Sequence, residues 1–414
     1  MSTIYIHWPY CLSKCYYCDF NSVVCKNNIN YLKYYQLYKN VLNKFKEQFY
    51  NNEEITSIYF GGGTPSLVDS IFIDNLLNYI CKVFKISNDI EVTIEANPKT
   101  IDKYKAKQFK YSGINRISIG VQSIIDEDLR LLGRIHNSYD AIKCVYDMSE
   151  IFNNVSIDII YNRPGQKIED WKEELNKILL LPIQHISMYE LIVEDNTYIK
   201  YLIDKGFIDP PSNSSEFMEE TIKIAKNNGF EMYEISNYVK NGTLLYSKHN
   251  MSYWNYDRYY GVGAGSHSRV SNGNKIYAIE QVSNINDWLL WAENPIFNLE
   301  LLSEDDIYKE QLIMGLRTKF GININKLNKK MIKKYKLFEK IEVLKENSYV
   351  IKFPYKPAYT TTLAFNEINI MDSLCDPIII ESPRGPILVF DNSSNLILTY
   401  KGMLKLNMIV EYLT

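Results

Sequence analysis

The stretch "TIYIHWPYCLSKCYYCDF", residues 3–20, runs an apolar segment directly into three cysteines, Cys11, Cys15 and Cys18. "TIYIHW" (3–8) reads as a β-strand, so the cysteines follow a strand end. The chain holds seven cysteines in 414 residues, and crowding three of them into eight residues needs a reason. Three readings stay open at this point. His7, Cys11, Cys15 and Cys18 have the residue types of a Cys3His zinc site, with Cys25 as a spare ligand. Incidental free thiols are usually inert small hydrophobes, but they have no need of tight spacing. An iron–sulfur cluster is held by thiolates on short loops of this kind. Three thiolates on a four-iron cluster leave one iron open, and an open metal position is where a substrate or cofactor binds.

Outward from that stretch, the first 195 residues alternate short apolar runs with amphipathic segments, which predicts parallel strands joined by crossover helices. Further strands are expected at "TSIYFGGG" (56–63), "DIEVTIEAN" (89–97), "INRISIGVQ" (114–122), "NVSIDIIY" (154–161) and "QHISMYELIVE" (184–194). Helices are expected over 29–49, apolar at Leu32, Tyr35, Leu37, Val41, Leu42 and Phe45, and over "SIFIDNLLNYICKVF" (70–84). Six such units make an α/β fold, an open or partial (β/α)6 barrel. Ligands of parallel folds gather at the carboxyl ends of the strands. "HWPYC", "GGGTP", "EANP", "GVQS" and "DIIYNRP" all fall where strands stop. The glycines of "GGGTP" (61–65) let the backbone approach a ligand and leave N–H groups for its polar end. On its own the same segment also reads as a plain strand-to-helix turn with Pro65 at the helix start.

After residue 195 the alternation breaks. "SNSSEFMEETIKIAKNNGF" (212–230) reads as a helix, "EMYEISNYV" (231–239) as a strand, and "SKHNMSYWNYDRYYGVGAGSHS" (247–268) is dense in aromatics, His and Gly. From about 303 helices are expected around "DDIYKEQLIMGLRT" and "NINKLNKKMIKKYK", then a β-rich stretch to the end. The organisation read is a barrel over 1–200, an α/β extension over 201–300, and a small α+β, winged-helix-like domain over 301–414. Residues 349–391 look inserted into that last domain, with Cys375 a lone thiol. At 414 residues the chain exceeds the roughly 250–300 at which single cores stop growing. A hydrophobic share of 46% with 23% charged residues is that of a globular protein. The net charge of -3 gives no basic field, so no nucleic-acid partner is expected. No run approaches the about 18 apolar residues of a membrane span, so no membrane anchor is expected. The odd cysteine count and a start unlike a signal peptide point to a reducing, cytoplasmic setting.

With those residues in view, "CLSKCYYC" matches the C-x3-C-x2-C signature of the radical SAM superfamily. The chain resembles its coproporphyrinogen III oxidase-like branch over nearly its whole length. "IYIHWPYCLSKCYYCDFNS", "IYFGGGTPS", "IEANP", "RISIGVQS", "LGRIHN", "IDIIY" and "PGQ" recur in that branch's order. The resemblance implies a radical SAM barrel with a [4Fe–4S] cluster on Cys11, Cys15 and Cys18. It also implies S-adenosylmethionine (SAM) on the open iron, where an electron from the cluster can release a 5'-deoxyadenosyl radical. Carried over by position, Tyr5, Gly62, Gly63, Thr64 and Glu95 are implied SAM contacts, and Gln122, Arg134 and Asp158 further ligand contacts. The residue types agree: Glu95 and Asp158 accept from hydroxyl or amino groups, and Arg134 can pair a carboxylate through two bonds. Each of the three also has a plain structural use as a cap or ion pair.

Within the branch, the oxidases carry a further cysteine two residues after the third and an extension before the first strand. Here Phe20 stands at that position and the strand begins at residue 3. Both departures resemble the heme chaperone group. "HNMSYW" (249–254) matches that group's H-N-x-x-Y-W motif and implies heme contact by His249, Tyr253 and Trp254, with His249 on the iron. Neutral imidazole suits iron and flat rings suit a porphyrin face; a lone His among aromatics is also commonly a packed structural residue. His267 in "GVGAGSHS" is the other candidate, where the glycines either cradle a cofactor or permit close packing. His136 is expected only to cap a helix. The branch usually has Gly-Leu-Pro-Gly-Gln after the fifth strand, whereas this chain has "NRPGQ" (162–166). The function expected is binding of heme and its transfer to an unidentified heme-requiring acceptor protein. The alternatives are oxygen-independent oxidative decarboxylation of coproporphyrinogen III and a structural zinc protein without radical chemistry.

Overall fold

The computed structural model describes residues 1–25, 29–211, 214–346, 350–352, 388–390, 395–398, 403 and 405–414. Cys375 and most of the expected insertion at 349–391 lie outside the described residues. The chain begins with β1 (Ser2–Trp8), α1 (Tyr31–Gln48), β2 (Ile55–Gly62), α2 (Ser70–Val83), β3 (Ile86–Ala96) and α3 (Lys103–Tyr111). It continues with β4 (Arg116–Gln122), α4 (Ser138–Ser149), β5 (Val155–Tyr161), α5 (Ile168–Ile178) and β6 (His185–Glu190). Strands β1 to β6 are parallel neighbours in that order, the partial (β/α)6 barrel the alternation predicts. Helices α1 to α4 start on side-chain caps, Asn30, Asp69, Asp102 and Asn137, which satisfy orphan N–H groups of the first turn.

On α1 the buried stripe is Tyr34, Leu37, Tyr38, Val41, Leu42 and Phe45, while Leu32, expected inside, is 77% exposed. Tyrosines take the inner face because their hydroxyls find partners: Tyr38 donates to His7 O (2.6 Å) and Tyr34 to the Tyr10 hydroxyl (2.9 Å). The strands divide by face. Ile58 and Phe60, Val92 and Ile94, and Ile117, Ile119 and Val121 join the apolar core. Their neighbours Ser57 and Tyr59, Glu91, Thr93 and Glu95, and Arg116, Ser118 and Gln122 point to the opposite side, because successive strand residues alternate. The barrel lumen is therefore polar.

Residues 201–300 add to the same sheet. After α6 (Ser214–Asn227), "EMYEISNYV" is not one strand but a hairpin of β7 (Phe230–Glu234) and β8 (Asn237–Lys240), antiparallel to each other. The Glu234 carboxylate breaks the run by accepting from Ser236 N (3.2 Å) and from the Asn237 amide. β8 closes antiparallel on β6, whose expected residues 191–194 leave the sheet. Helix α7 (Lys248–Trp254) precedes β9 (Arg258–Val262), which lies parallel to β1 on its free edge. β10 (His267–Asn272), β11 (Lys275–Glu280) and β12 (Glu300–Leu301) follow antiparallel. Among the described residues the sheet runs β12-β11-β10-β9-β1-β2-β3-β4-β5-β6-β8-β7.

The chain forms two compact units, Met1–Tyr253 with Asp257–Leu302, and Trp254–Tyr256 with Ser303–Thr414. In the second, helices Glu304–Gly315, Lys329–Lys334, Leu337–Glu346 and Leu406–Leu413 accompany a sheet of four short strands. Ser303 and Asp306 cap its first helix reciprocally. No helix among the described residues is long and apolar enough to cross a membrane.

Candidate cofactor site

Past β1 the chain folds back on itself: Tyr10–Cys11 pairs with Val23–Val24, and Cys25 N donates to Cys11 O (2.9 Å). This loop lies directly on the end of β2. Gly63 N donates to Trp8 O (2.6 Å) and Thr64 N to Tyr10 O (2.9 Å). A Cβ at Gly63 would stand 2.7 Å from Tyr10 O and 3.0 Å from Cys11 Sγ, so only glycine fits under the loop. Gly62 N donates to Glu95 Oε2 (3.2 Å). The N–H groups of "GGGTP", expected to be left for a ligand, are thus taken by the protein's own loop and by Glu95.

Cys11, Cys15 and Cys18 border a cavity of about 470 Å3 at the carboxyl ends of β1 to β6. Gly62, Gly63, Thr64, Glu95, Gln122, Arg134 and Asp158 line the same cavity. Tyr5 does not; it lies one layer behind, its ring 6.1 Å from that of Tyr59 and its hydroxyl 3.2 Å from His7 Nδ1. His7 Nε2 meets Asn21 O (2.9 Å), so both its ring nitrogens are engaged and it is not free as a zinc ligand. Burial holds His7 below the usual imidazole range. Asn21 in turn donates through its amide to Ala264 O and Ser283 O, each at 2.9 Å. A Cβ at Gly265 would meet that amide at 2.5 Å, which answers what "GVGAG" is for: close packing of the β9–β10 connection against the cysteine loop. His267, just beyond, is exposed. His136 is buried on Val121 O (3.1 Å), and the helix cap beside it is Asn137.

The lining is rich in charge. Arg134 donates to Cys15 Sγ (3.2 Å) and to Gly120 O (2.6 Å). Glu95 accepts from the Tyr59 hydroxyl (2.9 Å) as well as from Gly62; burial, then the neighbouring Asp158, push its pKa up to about 7. Asp158, raised by burial, accepts from Ser118 (3.2 Å). Burial also raises the Cys18 thiol. Deeper in the lumen Arg116 lies 4.0 Å from Glu91 and 3.3 Å from His185 Nδ1.

The "HNMSYW" segment forms α7 at the opposite, amino end of the strands. Its first N–H groups are held by Glu91: Lys248 N to Oε2 (3.1 Å) and His249 N to Oε1 (3.2 Å). His249 is 3% exposed; Nδ1 meets Ser57 Oγ (3.1 Å) and Nε2 the Tyr253 hydroxyl (2.9 Å). Its ring stacks on Tyr59 at 4.7 Å and Tyr5 at 6.0 Å, and burial, then Arg116, push its pKa down to about 3. His249 and Tyr253 are thus brought together, while Trp254 belongs to the second unit, with the Arg317 guanidinium 4.7 Å over its ring. Of the six residues, Asn250 lines the cavity.

Residues 5–178 match the model of the radical SAM superfamily. The heme chaperone HemW of Buchnera aphidicola is 40% identical over 295 residues, covering 69% of this chain and 75% of that protein. HemW of Bacillus subtilis is 31% identical over 333 residues, 78% and 85% of the two chains. The chain belongs to the HemW family of radical SAM proteins. The structure of coproporphyrinogen III oxidase HemN from Escherichia coli superposes with a TM-score of 0.75 at 16% identity, over all of this chain and 89% of that one, and shows the shared fold.

Membership of the HemW family implies a [4Fe–4S] cluster and SAM, and the residues present fit both. Three thiols bordering one cavity suit a multi-iron cluster, whereas among the described residues no three His, Cys, Asp or Glu side chains converge on a single ion. Cys25 does not line the cavity; its electrostatic neighbours are Tyr31 and Tyr34. The departure of this HemW-family chain at "NRPGQ" is also accommodated. Asn162 adopts φ 54°, which its short side chain tolerates, and its amide donates to Glu190 Oε1 (2.8 Å) on the cavity wall. Arg163 is fully buried between Glu174 (2.5 Å) and Asp128 (2.8 Å). Sequence reasoning missed Tyr59, Arg116, Ser118, Ser187 and Asn250 as lining residues. Their signal was present for four of them: polar residues at every second position of strands otherwise built from Ile, Val and Phe.

Proposed function

We propose that this chain binds heme and passes it to a heme-requiring acceptor protein, with a [4Fe–4S] cluster on Cys11, Cys15 and Cys18 and SAM in the adjoining cavity. When bound, such a cluster supplies an electron to the sulfonium of SAM. The residues would bind and orient: Glu95 and Asp158 accept from hydroxyl or amino groups, Gln122 completes the wall, and Arg134 steadies Cys15. The observation that carries the chaperone reading over the oxidase is the charge of the lining. Asp19, Glu95, Asp158, Glu190 and Glu194 face Lys14, Arg116 and Arg134, and Arg134 is already engaged by Cys15 and Gly120. A wall of that sign suits a sulfonium cation and opposes the propionates of coproporphyrinogen III more than the fewer propionates of heme. At the mouth Phe20 and Ile192, 61% and 69% exposed, offer apolar surface of the kind a porphyrin face covers. Iron ligation by His249, expected from its motif, requires first breaking its bonds to Ser57 and Tyr253.

The test is anaerobic reconstitution with iron and sulfide, then heme titration and a coproporphyrinogen III turnover assay in the same tubes. The expected result is saturable heme binding, transfer to apo-acceptors, and no decarboxylated product. Product formation with SAM consumption would overturn the reading in favour of the oxidase; a colourless protein retaining zinc would overturn it in favour of the structural alternative.

A further inference from the structure

The cysteine loop also faces away from the cavity. Cys15, half-buried, borders the cavity and in addition a separate narrow crevice, which it shares with Leu12, Gly133 and Ile135. Tyr16, the next residue, is held firmly. Its N–H donates to Leu132 O (3.0 Å) and its carbonyl accepts from Ile199 N (2.9 Å). Its ring lies on Gly133, where a Cβ would stand 2.7 Å from the ring, and it meets the Tyr198 ring edge-on at 4.7 Å. Tyr198 stacks in turn on Tyr201 at 5.7 Å. Gly133 thus joins the crevice and the tyrosines into one surface. Leu12, Tyr16, Ile135, Tyr198 and Tyr201 are each 38–50% exposed, and none of the five lines the cavity.

Five such side chains present roughly 400 Å2 of apolar and aromatic surface. A patch of that size on a monomer is often functional. A stable complex covers about 800 Å2 on each partner, whereas electron-transfer encounters are among the smallest specific contacts. The position of the patch narrows the partner further. A cluster on Cys11, Cys15 and Cys18 gives an electron to the sulfonium of SAM only after it has received one, and Cys15 is the thiol beside the patch. The exposed edge of a flavin is itself flat and apolar, the kind of surface tyrosine rings cover. We infer that this patch is the dock of a small flavin-carrying electron-transfer protein, which passes one electron to the cluster past Cys15. The anionic reduced flavin of the carrier loses one electron and the cluster goes from 2+ to 1+; no bond forms or breaks and no proton moves. The inference rests on the cluster reading of the cysteines.

The test mixes the reconstituted protein anaerobically with sub-saturating flavodoxin hydroquinone and, separately, with dithionite, a reductant too small to need a dock. Bleaching of the cluster's visible absorption gives the rate, and electron paramagnetic resonance identifies the 1+ cluster. Tyr198 opens the helix Tyr198–Asp204, where a carboxylate is favourable in the first turn, so Tyr198→Glu keeps the fold. Tyr201→Glu is the second variant, and Tyr111→Glu, on the surface at the last turn of α3, is the control. Loss of a central interface anchor costs about tenfold or more. Flavodoxin is expected to reduce wild type and Tyr111→Glu at one rate and both patch variants about tenfold more slowly, with dithionite reducing all four alike. Wild type that dithionite reduces and flavodoxin does not overturns the inference, as do patch variants with an unchanged flavodoxin rate or a fall matched by dithionite. Patch variants that lose heme transfer to apo-acceptors but keep the flavodoxin rate overturn it too, and make the surface the acceptor's. Wild type that assembles no cluster overturns the reading of the cysteines itself, a result distinct from the others.

Discussion

The cysteine loop and helix α7 both carry metal-ligand residue types, and they sit at opposite ends of one lumen under opposite conditions. At the loop, three thiols border open space, with Arg134 donating to Cys15 and the Phe20 backbone hydrogen-bonded to Cys18. At α7, the imidazole of His249 is sealed, with a partner on each nitrogen and a ring on each of two tyrosines. Residue type and spacing name a possible ligand; whether its lone pair is free is decided by packing. A buried polar atom already satisfied is a structural part until something breaks its bonds.

The contrast can be broken at either end. Replacing Cys15 by Ser is expected to abolish the iron and labile sulfide retained after reconstitution, whereas His249→Ala retains both; equal loss in the two would erase the distinction. Removing Glu91 leaves Arg116 buried without its carboxylate and frees the first N–H groups of α7. Glu91→Ala should therefore cost about 3–5 kcal/mol in urea unfolding, and a cost below about 1 kcal/mol would show that the floor is anchored otherwise. His249→Ala removes a buried ring and two hydrogen bonds and is expected to cost roughly 3 kcal/mol; an accessible ligand would cost almost nothing.

Acidity sharpens the same comparison between rim and floor. Glu95 faces Tyr59, Gly62 N–H, Asp158 and Arg116, and its carboxyl is raised by burial first and Asp158 second, to about 7. The folded state therefore binds a proton that the unfolded chain has released. Its contribution is complete below the ordinary carboxyl range and is lost as pH rises through about 7. Urea midpoints should fall between pH 5 and 8 by an amount equivalent to roughly 2–3 kcal/mol, and Glu95→Gln should flatten that slope. The smallest effect is expected on the outer side of α7, where Lys248 pairs with exposed Asp89 at 2.5 Å. Lys248→Ala should leave the urea midpoint unchanged, since exposed pairs contribute little.

Much of the fold was legible because each strand sends Ile, Val and Phe to the helix-covered face, and six such strands alternate with helices. The rim was legible too, because glycine, proline and charged residues cluster where those runs stop. The floor was not. Glu91 and Arg116 lie 73 and 98 residues beyond Cys18, and the pairing of β3 with β4, which sets Thr93 opposite Arg116, brings them together. Likewise "EMYEISNYV" has the composition of one strand, and a side chain, Glu234, turns it into two. His249 shows the limit from the other side: the spacing of its motif carries no information about Ser57, which is 192 residues away.

Strand β1 has its second neighbour, β9, at residues 258–262, and the amide of Asn21 closes on a carbonyl 262 positions further along. On a ribosome adding about 5–20 residues per second, that separation amounts to roughly 13–50 s. Through that interval the three thiols have emerged while the wall that clasps their loop has not yet been made. Until residue 283 has been added, the nascent chain presents its three cysteines without that clasp.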